Sequence, residues 1–184
     1  MPGHTEHEAV EGFLDPLCDA VAVLDGYTKL FVQPRNGFRK EQIYSWHLNQ
    51  DRGVPLGKIG TFYASMKFEV IDADQSKYDK PFRVTTREYN YKLEGPDGSD
   101  QWRMHWHPDS RVSPERYPHM HLPPDLKIHR RTSRMTFEAA ITWCIALGAP
   151  LSVETAEALQ IVTLTEARHV LWRGWSNHPD EVLT

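Results

Sequence analysis

The first regular pattern of apolar and polar positions in the chain is helical. In residues 6–24, EHEAVEGFLDPLCDAVAVL, apolar side chains recur at spacings of three and four, the period of one helix face. These positions are Val10, Phe13, Leu14, Leu17, Val21 and Leu24. Pro16 lacks the N–H group that a helix interior requires, so we expect the helix to end, kink or restart there. Residues 1–25 are therefore predicted to form an N-terminal helical segment.

Strand patterns occupy the middle of the chain. Segments 27–33, 58–72, 82–95 and 101–107 are rich in β-branched and aromatic residues, and segment 41–48 fits either a short strand or a short helix. The turn sequence PDGSD at 96–100 joins the last two segments and predicts a β-hairpin. We expect residues 26–107 to form an antiparallel sheet.

The second strand of this hairpin has two chemically different faces, because successive side chains of a strand point to opposite sides. Trp102, Met104 and Trp106 share one face. Arg103, His105 and His107 share the other face.

Helical patterns return after residue 135. Thr136 is predicted to cap the helix FEAAITWCIAL, since its hydroxyl can accept a hydrogen bond from the first helical turn, and Gly148 marks the end of that helix. Two further helices are predicted at 153–162 and 164–175. This order is typical of an α+β domain, with C-terminal helices (136–175) packed on one face or end of a central antiparallel sheet.

Length, composition and charge limit the class of protein. A chain of 184 residues, 40% hydrophobic and 25% charged, suits one globular domain spanning residues 1–184. The formal net charge of −4 does not favour nucleic acid, so an RNA contact would require a local basic patch. No apolar run approaches the ~20 residues of a membrane helix, and the N-terminus has no export pattern. We expect a cytoplasmic protein that makes no membrane contact.

The stretch HWHPDSRVSPERYPHMHLP, residues 105–123, departs from these patterns with four histidines and four prolines. We assign it to a histidine-, proline- and arginine-rich loop segment, 108–135. The spacing H-x-H occurs in it twice, at His105 and His107 and again at His119 and His121. If the second pair is also extended, as the flanking prolines suggest, both imidazoles of each pair point the same way.

One hypothesis for these histidines is a metal site. Two H-x-H pairs that face each other would supply four nitrogen ligands to zinc or to another divalent transition metal such as nickel or iron. Asp109 or His129 could complete a smaller set of ligands.

A second hypothesis is metal-independent cleavage of RNA by the same four histidines, His105, His107, His119 and His121, with no cofactor. This reaction needs a base for the 2′-hydroxyl proton, an acid for the leaving oxygen and a cation near the phosphorus. Histidine suits both proton transfers because it titrates near neutral pH. Four arginines are candidates for phosphate contact: Arg103, Arg111, Arg130 and Arg131.

These residues also carry a resemblance to a known family. His105 and Trp106 on a strand, a proline-rich loop, and then Pro118, His119 and His121 before a helix resemble the TumE-like toxins of bacterial toxin–antitoxin systems. The resemblance covers residues 84–147, about a third of the chain. The chain departs from the family in its length, with additional residues at 34–80 and additional helices at the end. The resemblance implies a toxin that cleaves RNA and binds a cognate antitoxin protein.

The leading hypothesis from the sequence is therefore a toxin-like, metal-independent endoribonuclease. One alternative is a metal-binding protein or metalloenzyme that uses the same histidines as ligands. The other is a non-catalytic interaction module, in which the aromatic sheet face and the C-terminal helices bind a protein partner. The sequence does not distinguish oligomeric states.

Overall fold

The structure is a computed structural model that describes residues 2–34, 37–110 and 114–168. These residues form three α-helices and eight β-strands. In chain order they are α1 (Glu6–Val21), β1 (Leu30–Gln33), β2 (Ile43–Leu48), β3 (Val54–Pro55), β4 (Thr61–Asp72), β5 (Phe82–Glu94), β6 (Asp100–Trp106), β7 (His119–Leu122), β8 (Asp125–Arg131), α2 (Phe137–Ala146) and α3 (Thr155–Arg168). The predicted α+β class, with its N-terminal helix, antiparallel sheet and C-terminal helices, is confirmed.

The strands form one sheet in the order β1-β2-β4-β5-β6-β7-β8, and β3 pairs with the start of β4. All of these pairings are antiparallel. The predicted hairpin is the pair β5–β6, in which Tyr89 lies opposite Trp106 and Leu93 opposite Trp102. Segment 41–48, which fitted either type of element, contains strand β2.

The helices pack on one face of the sheet and form the core with it. The ring of Phe137 in α2 lies 5.0 Å from that of Trp46 and 5.7 Å from that of Tyr91, between ring centroids. Helix α1 contacts the same face through Phe13, and α3 packs against α1 and α2. Trp102 is buried on this face. The opposite face carries mainly polar side chains, many of them at least partly exposed and some buried, and we call it the open face.

Helix α1 neither ends nor restarts at Pro16, two of the three outcomes that were expected there beside a kink. The helix begins after Thr5, whose hydroxyl accepts a hydrogen bond from the backbone N–H of Glu8 at 3.2 Å, and it continues to Val21. A proline inside a helix costs about 3 kcal/mol. Phe13 and Leu17 are fully buried around it, so their packing offsets this cost.

The C-terminal helices differ from the prediction in number. Thr136 caps α2 as predicted, since its hydroxyl accepts from the N–H of Ala139 at 2.9 Å. The prediction of two separate helices, 153–162 and 164–175, is wrong, because the single helix α3 runs without a break from Thr155 to Arg168. Neither glycine nor proline occurs at the expected boundary, so nothing stops the helix there. Residues 169–175 lie outside the described residues.

The segment 108–135 was predicted as a loop, and this prediction is wrong for its second half, which contains strands β7 and β8. The sheet therefore extends beyond residue 107 to Arg131. Strand β8 lies at the edge of the sheet and most of its side chains are exposed. Since an exposed edge strand needs no apolar alternation, its sequence DLKIHRR gave no strand signal.

None of the helices in the described part of the chain combines the length and the apolar character needed to cross a bilayer.

Candidate functional site

The register of strands β6 and β7 brings the two H-x-H pairs together on the open face. His105 lies directly opposite His119, and Arg103 lies directly opposite His121. Residues directly opposite one another in an antiparallel pair share a sheet face. Met104 and Met120, the pair between them, consequently point toward the helices. The predicted extended conformation of the second H-x-H pair is confirmed.

Strand β8 adds a fifth histidine to this group. It returns after the two-residue turn at Pro123 and Pro124, and it places the ring of His129 at 4.7 Å from the rings of both His119 and His121, between centroids. The ring centroids of His105 and His119 are 4.2 Å apart. We call the five residues His105, His107, His119, His121 and His129 the histidine cluster.

Three members of the cluster have a hydrogen-bond acceptor at Nδ1. The Nδ1 atom of His119 lies 2.8 Å from the carbonyl oxygen of Tyr117, and Nδ1 of His121 lies 2.6 Å from that of Leu126. The Nδ1 atom of His129 lies 2.8 Å from a carboxylate oxygen of Glu115.

A carbonyl or carboxylate oxygen can only accept, so each of these Nδ1 atoms carries the proton and donates it. The lone pair of each neutral ring is then on Nε2.

His105 and His121 interact directly through their Nε2 atoms, which are 2.7 Å apart. Because His121 already carries its proton on Nδ1, its Nε2 accepts in this hydrogen bond and His105 donates. In this arrangement the hydrogen bond from His105 engages the Nε2 lone pair of His121.

The Nε2 atom of His119 is buried, and among the described residues it has no hydrogen-bond partner. The His119 side chain is only 1% exposed, so water does not readily replace the missing partner. A buried polar atom without a partner costs about 1–3 kcal/mol. Such an atom in a native structure points to a missing partner at that position.

Burial lowers the pKa of His105, His119 and His121 below the ordinary value of 6.5. At His105 the other histidines and Arg103 lower the pKa further, while carbonyl hydrogen bonds oppose the decrease at His119 and His121. All three imidazoles therefore favour the neutral form at neutral pH. A neutral imidazole is a good ligand and a possible base, but it has no extra proton to give as a general acid.

Two overlapping triplets of the cluster bring ligand atoms within metal-binding range. In His105, His107 and His119, one nitrogen from each ring lies within 4.8 Å of the others, and the same holds for His119, His121 and His129. His119 belongs to both triplets. The residue His129, which the sequence suggested only as an addition to a smaller set, is thus a full member of the cluster.

The four arginines predicted to hold phosphate do not all join the cluster. Arg103 lies on the open face, where its guanidinium is paired with the carboxylate of Asp100. Arg131 lies on the same face, with its guanidinium carbon 5.3 Å from the ring centroid of Tyr117. Arg130 lies opposite Met120 and therefore on the helix-covered side of the sheet. Arg111 lies outside the described residues.

Glu115 is the residue at this site that sequence reasoning missed. It lies in a proline-rich segment, 14 positions before the histidine that it contacts, and no sequence pattern connects the two. Asp109, suggested as an alternative ligand, belongs to neither of the two triplets.

Comparisons of the chain with protein-family models, with curated proteins and with solved structures gave no match. The resemblance to TumE-like toxins thus stays a prediction, and the geometry of the histidine cluster is the basis for a functional assignment.

Proposed function

We propose that the protein binds one divalent transition metal ion through His119, His121 and His129. The observation that carries this proposal is the common tautomer of the three rings. In each ring the Nδ1 proton is engaged by a carbonyl or carboxylate oxygen, so the lone pair of each neutral ring is on Nε2. Histidines that bind metals almost always have such an acceptor on the other ring nitrogen, because it fixes the tautomer and the ring orientation.

The buried Nε2 of His119 supports the same proposal, because a metal ion would supply the partner that this atom lacks among the described residues. The ligand set is made of imidazole nitrogens, which suit zinc, copper, nickel and iron(II). The hydrogen bond from Nε2 of His105 to Nε2 of His121 would first have to break. With its proton on Nδ1 instead, His105 could then serve as a fourth ligand through Nε2.

The metal-independent ribonuclease predicted from the sequence is the second candidate. One observation favours it: Arg103 and Arg131 lie on the same sheet face as the histidines. The pairing of Arg103 with Asp100 weakens this candidate, since that guanidinium already has an anionic partner. The antitoxin partner, the RNA substrate, the cytoplasmic location and the non-catalytic alternative stay predictions.

The test is a metal titration of the full-length chain after removal of bound metal with a chelator. We expect one zinc or cobalt(II) ion per chain, and we expect His119→Ala to lose it. The matched control is His7→Ala, because His7 is an exposed histidine of α1 far from the cluster in sequence and structure.

Failure of the wild type to bind zinc, cobalt(II), nickel(II) or copper(II) stoichiometrically would overturn the metal proposal. If the metal-free wild type cleaved RNA and His119→Ala did not, with the fold of both checked by circular dichroism, the ribonuclease would replace it.

A further inference from the structure

A second group of side chains on the open face has a different chemistry from the histidine cluster. It lies on β2 and in the turn that follows, where Ser45, His47 and Asp51 form a hydrogen-bonded chain. The Nε2 atom of His47 lies 3.0 Å from Oγ of Ser45, and its Nδ1 atom lies 2.8 Å from a carboxylate oxygen of Asp51. These contacts are independent of the proposed metal site.

The order of the three groups determines the direction of the hydrogen bonds. The carboxylate of Asp51 accepts, so Nδ1 of His47 carries the ring proton and Nε2 carries the lone pair. The hydroxyl of Ser45 then donates to Nε2 of His47. A hydroxyl bonded to an imidazole that a carboxylate orients is the arrangement by which serine hydrolases activate their nucleophile.

The backbone that positions Asp51 is strained. Asn49, Gln50 and Asp51 have φ angles of 52°, 56° and 66°, in the left-handed region that residues other than glycine rarely adopt. Each such residue costs on the order of 1–3 kcal/mol and persists only where its surroundings hold it.

The side chain of Asn49 holds this turn. Its amide donates to the carbonyl oxygens of Tyr27 and Gly53 at 2.7 and 2.8 Å, and its carbonyl oxygen accepts from the N–H of Lys29 at 2.9 Å. Three hydrogen bonds from one side chain therefore fix the conformation that brings the Asp51 carboxylate to His47. Strain of this kind occurs preferentially at functional sites.

Ser45 borders a shallow, open cleft of about 650 Å³. The residues directly opposite Ser45 on the flanking strands are Gln33 and Lys67, and both line this cleft. Both side chains carry N–H groups, although the ammonium of Lys67 also binds the carboxylate of Glu88 at 2.8 Å. Pro34 and Ile43 give the cleft an apolar wall.

We propose that Ser45, His47 and Asp51 form a nucleophilic site that hydrolyses carboxylic esters with a small acyl group. Ser45 Oγ attacks the carbonyl carbon while its proton moves to Nε2 of His47. The ester C–O bond breaks as the leaving alkoxide takes that proton, which leaves an acyl-serine. Water then attacks the acyl carbon, its proton passes through His47 back to Ser45 Oγ, and the carboxylic acid is released. Donors from Gln33 and Lys67 stabilise the oxyanion of each step.

The test is reaction of the full-length protein with a fluorophosphonate probe, followed by mass spectrometry that locates the adduct. We expect the adduct on Ser45 and hydrolysis of p-nitrophenyl acetate by the same preparation, both lost in Ser45→Ala. His47→Gln is expected to slow labelling at least tenfold, since a positioned base contributes about 10²–10⁴-fold.

The matched control is Ser65→Ala, because Ser65 lies on the same sheet face directly opposite His47 and should leave labelling unchanged. Thermal melting of each variant checks the fold. The proposal is overturned if saturating probe leaves Ser45 unmodified in the folded wild type, or if His47→Gln is labelled at the wild-type rate.

Discussion

The open face of the sheet holds two groups of histidines in contrasting surroundings. His119 and His121, in the histidine cluster, are buried, and their Nδ1 atoms donate to uncharged backbone carbonyls. His47 lies on β2, which three strands separate from β7; it is about 30% exposed, and it connects a carboxylate to a hydroxyl. At ~4.8 Å between neighbouring strands, four spacings put His47 roughly 19 Å from His119 and His121.

The contrast shows how surroundings select the role of one side chain. Burial among other imidazoles favours neutral rings with inward lone pairs, which suits a metal ligand. An anionic partner on one nitrogen and a hydroxyl on the other favour proton transfer, since the carboxylate stabilises the imidazolium that forms. The two groups should therefore respond independently to mutation.

The largest expected effect is the loss of stabilisation by zinc, which should depend on the histidine cluster and not on the group around Ser45. The double variant His119→Ala/His121→Ala should lose all stabilisation by zinc, whereas zinc at 1,000 times its Kd should stabilise the wild type by about 4 kcal/mol. Chemical denaturation with and without zinc measures this difference. Labelling of Ser45 by the fluorophosphonate should be the same in both proteins, and a parallel loss of labelling would show that the two groups are not independent.

The next effect concerns the carboxylate behind His129. Glu115→Gln keeps the size of the side chain but removes the charge that orients the imidazole and increases its basicity. We expect metal affinity to fall about 10- to 100-fold, as is typical when an outer partner of a metal-bound histidine is lost. Competition with a chromophoric chelator gives the Kd. An unchanged Kd would place the ion in the triplet His105, His107 and His119 instead.

A smaller effect is expected for the carboxylate behind His47. Asp51→Asn keeps the shape of the strained turn but replaces the anion that orients the ring. Because Asp51 is about 71% exposed, solvent screens its charge, and we expect labelling of Ser45 to slow by about tenfold. Zinc affinity should not change in this variant. The measurement is the rate of adduct formation beside the zinc Kd of the same preparation.

The smallest effect is a pH dependence of the metal-free protein. The folded-state pKa values of His105, His119 and His121 lie below the unfolded value of about 6.5, so the unfolded chain binds more protons as the pH falls below 6.5. The stability is fully present above that pH and decreases below it. We expect a lower Tm at pH 5.5 than at pH 7.5, with a smaller difference in His105→Gln. A Tm that rises on acidification would contradict the burial of these rings.

Local sequence patterns predicted most of the elements before residue 107 and the strand face on which each histidine pair lies. Because side chains alternate along a strand, the sequence put His105 and His107 on one face and Trp106 on the other. It also put His119 and His121 on one face, on the condition that their segment is extended. The cap at Thr136 was equally readable, because a cap depends on residues three positions apart. Such features need only neighbouring residues, so a single sequence contains them.

Only the tertiary structure decided which residues meet. The register of β6 against β7 spans a loop, and the return of β8 brings Glu115 to His129 across 14 positions of chain. Ser45 and His47 share a strand face, but Asp51 reaches His47 only because Asn49 holds a left-handed turn through bonds to distant backbone. Long-range register and strained backbone depend on the packing of the whole sheet, and the residues themselves carry no local signal for either.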